Sequence, residues 1–216
     1  MDDVDFHKIE LWGYAAFMFA GKGDRIEEWK TWIRSDPTSS ANRPDTKDIA
    51  VCMVNMEEPA ILFQHGMDIS KEDGLFAGSG ARFAVECWST NKDAQRAVRS
   101  AMVADPCSGG EVRFVTFSPR KHNLGGIHPT TANLAAVNNA IMLRGNVVYT
   151  SQQTPGQPPF KLSELAANDA SLQELQSKIA SGHVVPEAPC DGMHVEWTAE
   201  ETGQLDVQLA KLFGWK

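Results

Sequence analysis

The side chains best suited to chemistry sit in two glycine turns. Gly78-Ser79-Gly80 is one, and Asp105-Pro106-Cys107-Ser108-Gly109-Gly110 is the other. A serine hydroxyl attacks only when a neighbouring base takes its proton. The six histidines show no placement relative to Ser79 or Ser108, so no Ser-His-Asp set can be deduced. The glycines beside Ser79 let backbone pass close to another segment, and Ser79 or Gly80 can instead cap the helix that follows. Metal chemistry has less support. His122 with His128, and Cys190 with His194, lack the second short-spaced pair that a zinc site requires. Gly21-Lys22-Gly23-Asp24 has no Walker pattern, and the glycines at 78 and 80 lack the acidic partner of a dinucleotide site. No cofactor and no metal is expected.

These turns need elements to hold them. After Gly80, Ala81, Ala84, Val85 and Trp88 share one face of a helix. Asn91 or Asp93 caps a second helix, lined by Ala94, Ala97, Val98, Ala101 and Met102. Gly109 and Gly110 stop it, and residues 112–117 alternate as a strand. Upstream, the apolar run Leu11 to Ala20 predicts one continuous buried strand. Asp24 and Glu27 have the spacing of a capping box for a helix with Ile26, Trp29 and Ile33 on one face. Residues 36–48 are loop, and Ile49 to Asn55 and Ala60 to His65 form a hairpin around Glu57-Glu58-Pro59.

Past Phe117 the pattern predicts loop over 118–130 and a helix or mixed segment over 131–143. A short strand follows at 147–149, then a Pro/Gln/Gly linker at 151–159. One helix spans 162–179, with Leu165, Leu172, Leu175 and Ile179 on its apolar side. Residues 184–191 are extended. Thr198 with Glu201 starts a last helix that carries Leu205, Leu209 and Leu212.

Strand, GSG turn, helix, helix, D-x-x-S-G-G turn and strand, in that order, resemble the proteasome β-subunit and bacterial HslV peptidase family of N-terminal-nucleophile (Ntn) hydrolases. The resemblance covers roughly residues 4 to 118, about half of the chain. It implies an α+β fold, a four-layer αββα sandwich over 1–118, with 119–216 a family-unlike C-terminal extension packed on it. It implies that Ser79, Asp105 and Ser108 are supporting catalytic positions, which hold and polarise the amine of an N-terminal nucleophile. Such a nucleophile is a Thr, Ser or Cys whose own α-amine acts as base, at a pKa near 7.7–8.0. This sequence starts Met1-Asp2-Asp3-Val4, and its first segment matches the family's third strand. The nucleophile, the first two strands, the acidic residue and the lysine of the family have no counterpart. Lys8 stands near that lysine in order but not in spacing.

The expectation is therefore a catalytically inactive homologue, or a threonine-type peptidase subunit truncated at its N-terminus. A noncatalytic structural, assembly or binding protein on the same scaffold is the alternative. Truncation predicts an exposed sheet edge, whereas an inactive homologue predicts that Val147–Tyr149 and Met193–Trp197 fill the missing strands' place. The resemblance also implies a homo-oligomer and a peptide or protein substrate.

Composition sets outer bounds. The chain has 216 residues, 42% hydrophobic and 22% charged, enough for one sizeable core. A net charge of −8 without a Lys/Arg run argues against nucleic acid as partner. The apolar run from Leu11 is too short to span a membrane and follows acidic residues, so neither a membrane span nor a signal peptide is expected. Four scattered cysteines read as reduced thiols of a cytoplasmic protein.

Overall fold

A computed structural model describes residues 7–105, 107–125, 134–147 and 160–215. In chain order the strands and helices are β1 (Ile9–Trp12), β2 (Ala15–Lys22), α1 (Gly23–Arg34), β3 (Ile49–Asn55), β4 (Ala60–His65), β5 (Ile69–Lys71), β6 (Gly74–Phe76), α2 (Ala81–Asn91), α3 (Ala94–Ala104), β7 (Val115–Phe117) and β8 (Arg120–His122). They continue as α4 (Leu134–Arg144), β9 (Asn146–Val147), β10 (Phe160–Lys161), α5 (Leu162–Ala166), α6 (Ala170–Ala180), β11 (Glu187–Ala188) and α7 (Ala199–Phe213). The class is α+β, and every described strand pairing is antiparallel.

The chain divides into two compact units: residues 7–108, 112–129 and 187–216 in the larger, and 1–6, 109–111 and 130–186 in the smaller. β11 and α7, both beyond residue 118, group with the larger unit. The reason is burial: Leu205 and Leu209 of α7 are fully enclosed there.

The larger unit is built on a sheet in the order β1-β2-β3-β4, with β11 added to β2. β3 is buried along nearly its whole length, which its run Ile49-Ala50-Val51-Cys52-Met53-Val54 requires. The expected single strand over 11–20 is instead the hairpin β1–β2, turned at Gly13, whose φ of +53° suits glycine. One face of the sheet carries Phe17, Phe19 and Phe63 and meets aromatic side chains of α1 and the C-terminal segment. Phe19 lies 6.4 Å from Trp29, and Phe63 stacks on Trp197 at 5.5 Å. Trp32 touches Phe213 and Trp215 edge-on, tying α1 to the end of α7. On the opposite face Ala20 and Ala50 pack with Cys190 and Met193, while Met18 stays 37% exposed.

Local signals explain the helix ends. Thr198 and Glu201 form the expected capping box of α7. The one at Asp24 does not form: α1 begins at Gly23 without a side-chain cap, and Glu27 pairs with the buried Lys30 at 2.6 Å. The strand expected over 112–117 is shortened to β7 and closes a hairpin with β8, inside what read as loop.

In the smaller unit, α4 covers 134–143 of the segment expected as helix or mixed and adds Arg144, and residues 131–133 lie outside the described ones. The helix expected over 162–179 is two, α5 and α6, because Asp169 caps a new start by accepting from Ser171 and Leu172 N–H. Val147 pairs with Phe160 as a short ladder, whereas 148–149 and the linker 151–159 lie outside the described residues.

Candidate functional site

The helix pair α2–α3 positions the two glycine turns. Ala84, Trp88, Ala97 and Ala101 form its core, with Phe76 packed edge-on to Trp88 at 5.6 Å. Alanines on the facing sides let the helices approach closely. The start of α2 thereby meets the end of α3. Gly80 is the contact point: a Cβ there would lie 2.9 Å from both Ala101 Cβ and Ser108 Oγ.

Ser79, Asp105 and Ser108 come together. Ser79 Oγ donates to Asp105 Oδ2 at 2.7 Å, and Ser108 Oγ donates to the same oxygen at 2.6 Å. The Cys107 N–H reaches Asp105 Oδ1 at 3.2 Å. Ser79 is thus not a helix cap, since α2 has no side-chain cap at all. Asp105 is 7% exposed. Burial pushes its carboxyl up, but the donors Ser108, Ser79 and the Cys107 N–H, with the Arg82 charge, outweigh it and hold the pKa below the ordinary value.

Three further residues frame the turn and had no readable signal in the sequence. Asp68 accepts from the Gly78 N–H at 2.5 Å and from the Gly192 N–H at 3.0 Å. Gly78 has φ +110°, a conformation other side chains rarely adopt. The Ser79 N–H donates to the Pro189 carbonyl at 2.9 Å, so the segment after β11 lies directly on the GSG turn. The strand added to the sheet is therefore Glu187–Ala188, whereas 193–197 forms no strand.

Comparison with protein-family models, curated proteins and solved structures gives no match to this chain. The site's chemistry is accordingly read from its own geometry.

Two hydroxyls and one ionised carboxylate make an acceptor centre. Asp105, held below the ordinary carboxylate range, is a weak base, and both hydroxyls already spend their protons on it. General base catalysis works best with a base whose pKa lies near the working pH. The trio therefore suits orienting or charge stabilisation better than attack. Lys8 stands just ahead of β1, its carbonyl taking the Phe19 N–H at 2.8 Å. Protein packed round its amine lowers the Lys8 pKa, with Cys190 opposing, although the residue as a whole keeps solvent contact.

The other sequence candidates scatter. His122 is exposed on β8, His194 is exposed beside the buried Cys190, and His128 lies outside the described residues. Among the described residues no group of three His, Cys, Asp or Glu side chains could hold a metal, and no helix is long and apolar enough to cross a membrane. Burial raises Cys52 and Cys190 to about 11, which leaves them as inert thiols. His65 has a built environment. Its Nδ1 lies 3.0 Å from Glu201 Oε1, its Nε2 lies 3.2 Å from the Val195 carbonyl, and its ring stacks on Trp197.

Proposed function

We propose that this chain is a proteasome-like or HslV-like Ntn-hydrolase-fold protein in which Ser79, Asp105 and Ser108 form the supporting side of the site. The observation that carries the reading is the shared Asp105 carboxylate, which joins the GSG turn to the D-x-x-S-G-G turn through both serine hydroxyls. The four-layer αββα arrangement is part of the proposal. The sheet face with Met18, opposite α1, is where a second sheet would stack.

On this reading the trio supports catalysis and does not perform it: the chain is an inactive homologue, or belongs to a threonine-type peptidase subunit. The reactant the trio would serve is a hydroxyl or thiol with a free α-amine beside it, and the trio would orient that amine. Coding sequence upstream of Met1 separates the two. An in-frame threonine followed by two strand-like runs supports the subunit, and an in-frame stop supports the inactive homologue. An experimental structure without two stacked sheets would reject both.

One observation favours the second reading, a noncatalytic assembly or binding protein on the same scaffold. Pro189 already occupies the Ser79 N–H, and β11 covers the end of β2 at Gly21 and Lys22. Limited proteolysis within 184–190 distinguishes them: a noncatalytic scaffold loses stability when that strap is cut, and a site awaiting substrate keeps it.

A further inference from the structure

β4 ends its sheet and pairs with β3 alone among the described strands. Its sequence from Ala60 to His65 has no Lys, Asp, Glu or Pro, residues that keep free edges from pairing, although a bulge at Leu62 interrupts its ladder with β3. Ile61 on this edge is 53% exposed. α7 lies beside β4, with Glu201 3.0 Å from His65, and the two elements line a shallow, open groove of about 760 Å³. Val207 on the helix wall is 52% exposed.

Two features of this groove ask for an occupant. Gly203 sits within α7, where glycine weakens a helix relative to alanine, and among the described residues nothing lies within 4 Å of the place its Cβ would take. No packing demand of the fold accounts for it, but close approach of another backbone would. Among the described residues the charged side chains lining the groove are Glu200 and Glu201, with no Lys or Arg beside them; Glu201 is already held by His65 and Thr198, so Glu200 supplies the open charge in a chain of net charge −8.

We propose that the β4–α7 groove binds an extended basic segment of a partner protein, added to the sheet as a strand. The free backbone groups of β4 supply the ladder, an aliphatic side chain fills the slot over Gly203 between Ile61 and Val207, and a Lys or Arg faces Glu200. A second copy of this chain fits less well, because a two-fold pairing of this edge would bring the same glutamates together.

The test uses fluorescence anisotropy with the fluorescein-labelled hexapeptide Lys-Val-Lys-Val-Lys-Val. Its Glu-Val counterpart and a version N-methylated at alternate amides serve as controls. The basic peptide binds saturably, and both controls bind at least about tenfold more weakly. Gly203→Leu, a better helix former, keeps the circular dichroism spectrum and weakens binding at least about tenfold, while Glu200→Lys shifts preference toward the acidic peptide. Ser79→Ala leaves binding unchanged, since the groove is independent of the serine–aspartate trio. Absence of saturable binding overturns the proposal, as does equal binding of the N-methylated peptide. Sedimentation showing a dimer that Gly203→Leu abolishes, with no peptide bound, would also overturn it in favour of a second copy.

Discussion

Ser79 Oγ and Asp105 Oδ2 lie 2.7 Å apart, joined across 26 residues of sequence. The bond fixes the start of α2 against the end of α3. Replacing Asp105 by Ala removes the shared acceptor of both hydroxyls and of the Cys107 N–H, although Ser79 is exposed and can turn to water. The expected loss is ~1–3 kcal/mol in urea unfolding, against less than ~1 kcal/mol for Ser79→Ala. Equal and negligible effects would show that the trio is not structurally coupled.

Acidification should weaken the fold through two carboxylates. Asp105 is depressed from its ordinary 3.8 despite burial, and Glu201 is depressed from 4.5, first by the Thr198 N–H and then by His65. A group whose folded pKa is lowered adds stability above its unfolded pKa and loses it as pH falls through the folded one. Unfolding midpoints should hold from neutral pH to about 4.5 and decline below. The gap between wild type and Asp105→Asn should narrow below pH 3.8, the ordinary aspartate value. A gap that is constant across the titration would contradict the assignment.

How much of this was legible depends on sequence distance. The β3–β4 hairpin and the Thr198–Glu201 capping box follow from adjacent residues, and both stand where the local rules put them. Other local signals compete with the apolar pattern. Gly13 already marked the turn that splits β1 from β2, and Asp169 marked the break between α5 and α6. The long-range relations had no local signature. His65 meets Glu201 across 136 residues, and Asp68 bridges to Gly192 across 124. Ser79 looked as much like a helix cap as a partner of Asp105 until tertiary packing chose between them.

Glycine packing gives a sharp stability test. A Cβ on Gly192 would lie 1.8 Å from the Gly66 carbonyl oxygen, a backbone atom that cannot rotate away. Gly192→Ala should cost more than ~3 kcal/mol or abolish soluble expression. Gly203→Ala, with open space at its Cβ among the described residues, should raise the melting temperature slightly. The reverse ranking would mean that the segment after β11 is not seated against Gly66.

Thiol labelling should follow burial. Cys52 and Cys190 are buried, with pKa raised to about 11, and Cys107 is exposed beside Asp105. Iodoacetamide at pH 8 should label Cys107 well before either buried thiol, as read by peptide mass spectrometry. Early labelling of Cys190 would place the 187–194 segment away from the sheet.

Hydrolysis of fluorogenic peptides by the purified 216-residue chain tests the central claim most directly. On the proposed reading Ser79 and Ser108, both donating to the Asp105 carboxylate, orient a reacting group and do not attack. The account predicts no turnover of fluorogenic peptides or casein, with wild type and Ser79→Ala indistinguishable. Robust cleavage by the wild type that disappears in Ser79→Ala would contradict it and establish a serine mechanism in place of a supporting role.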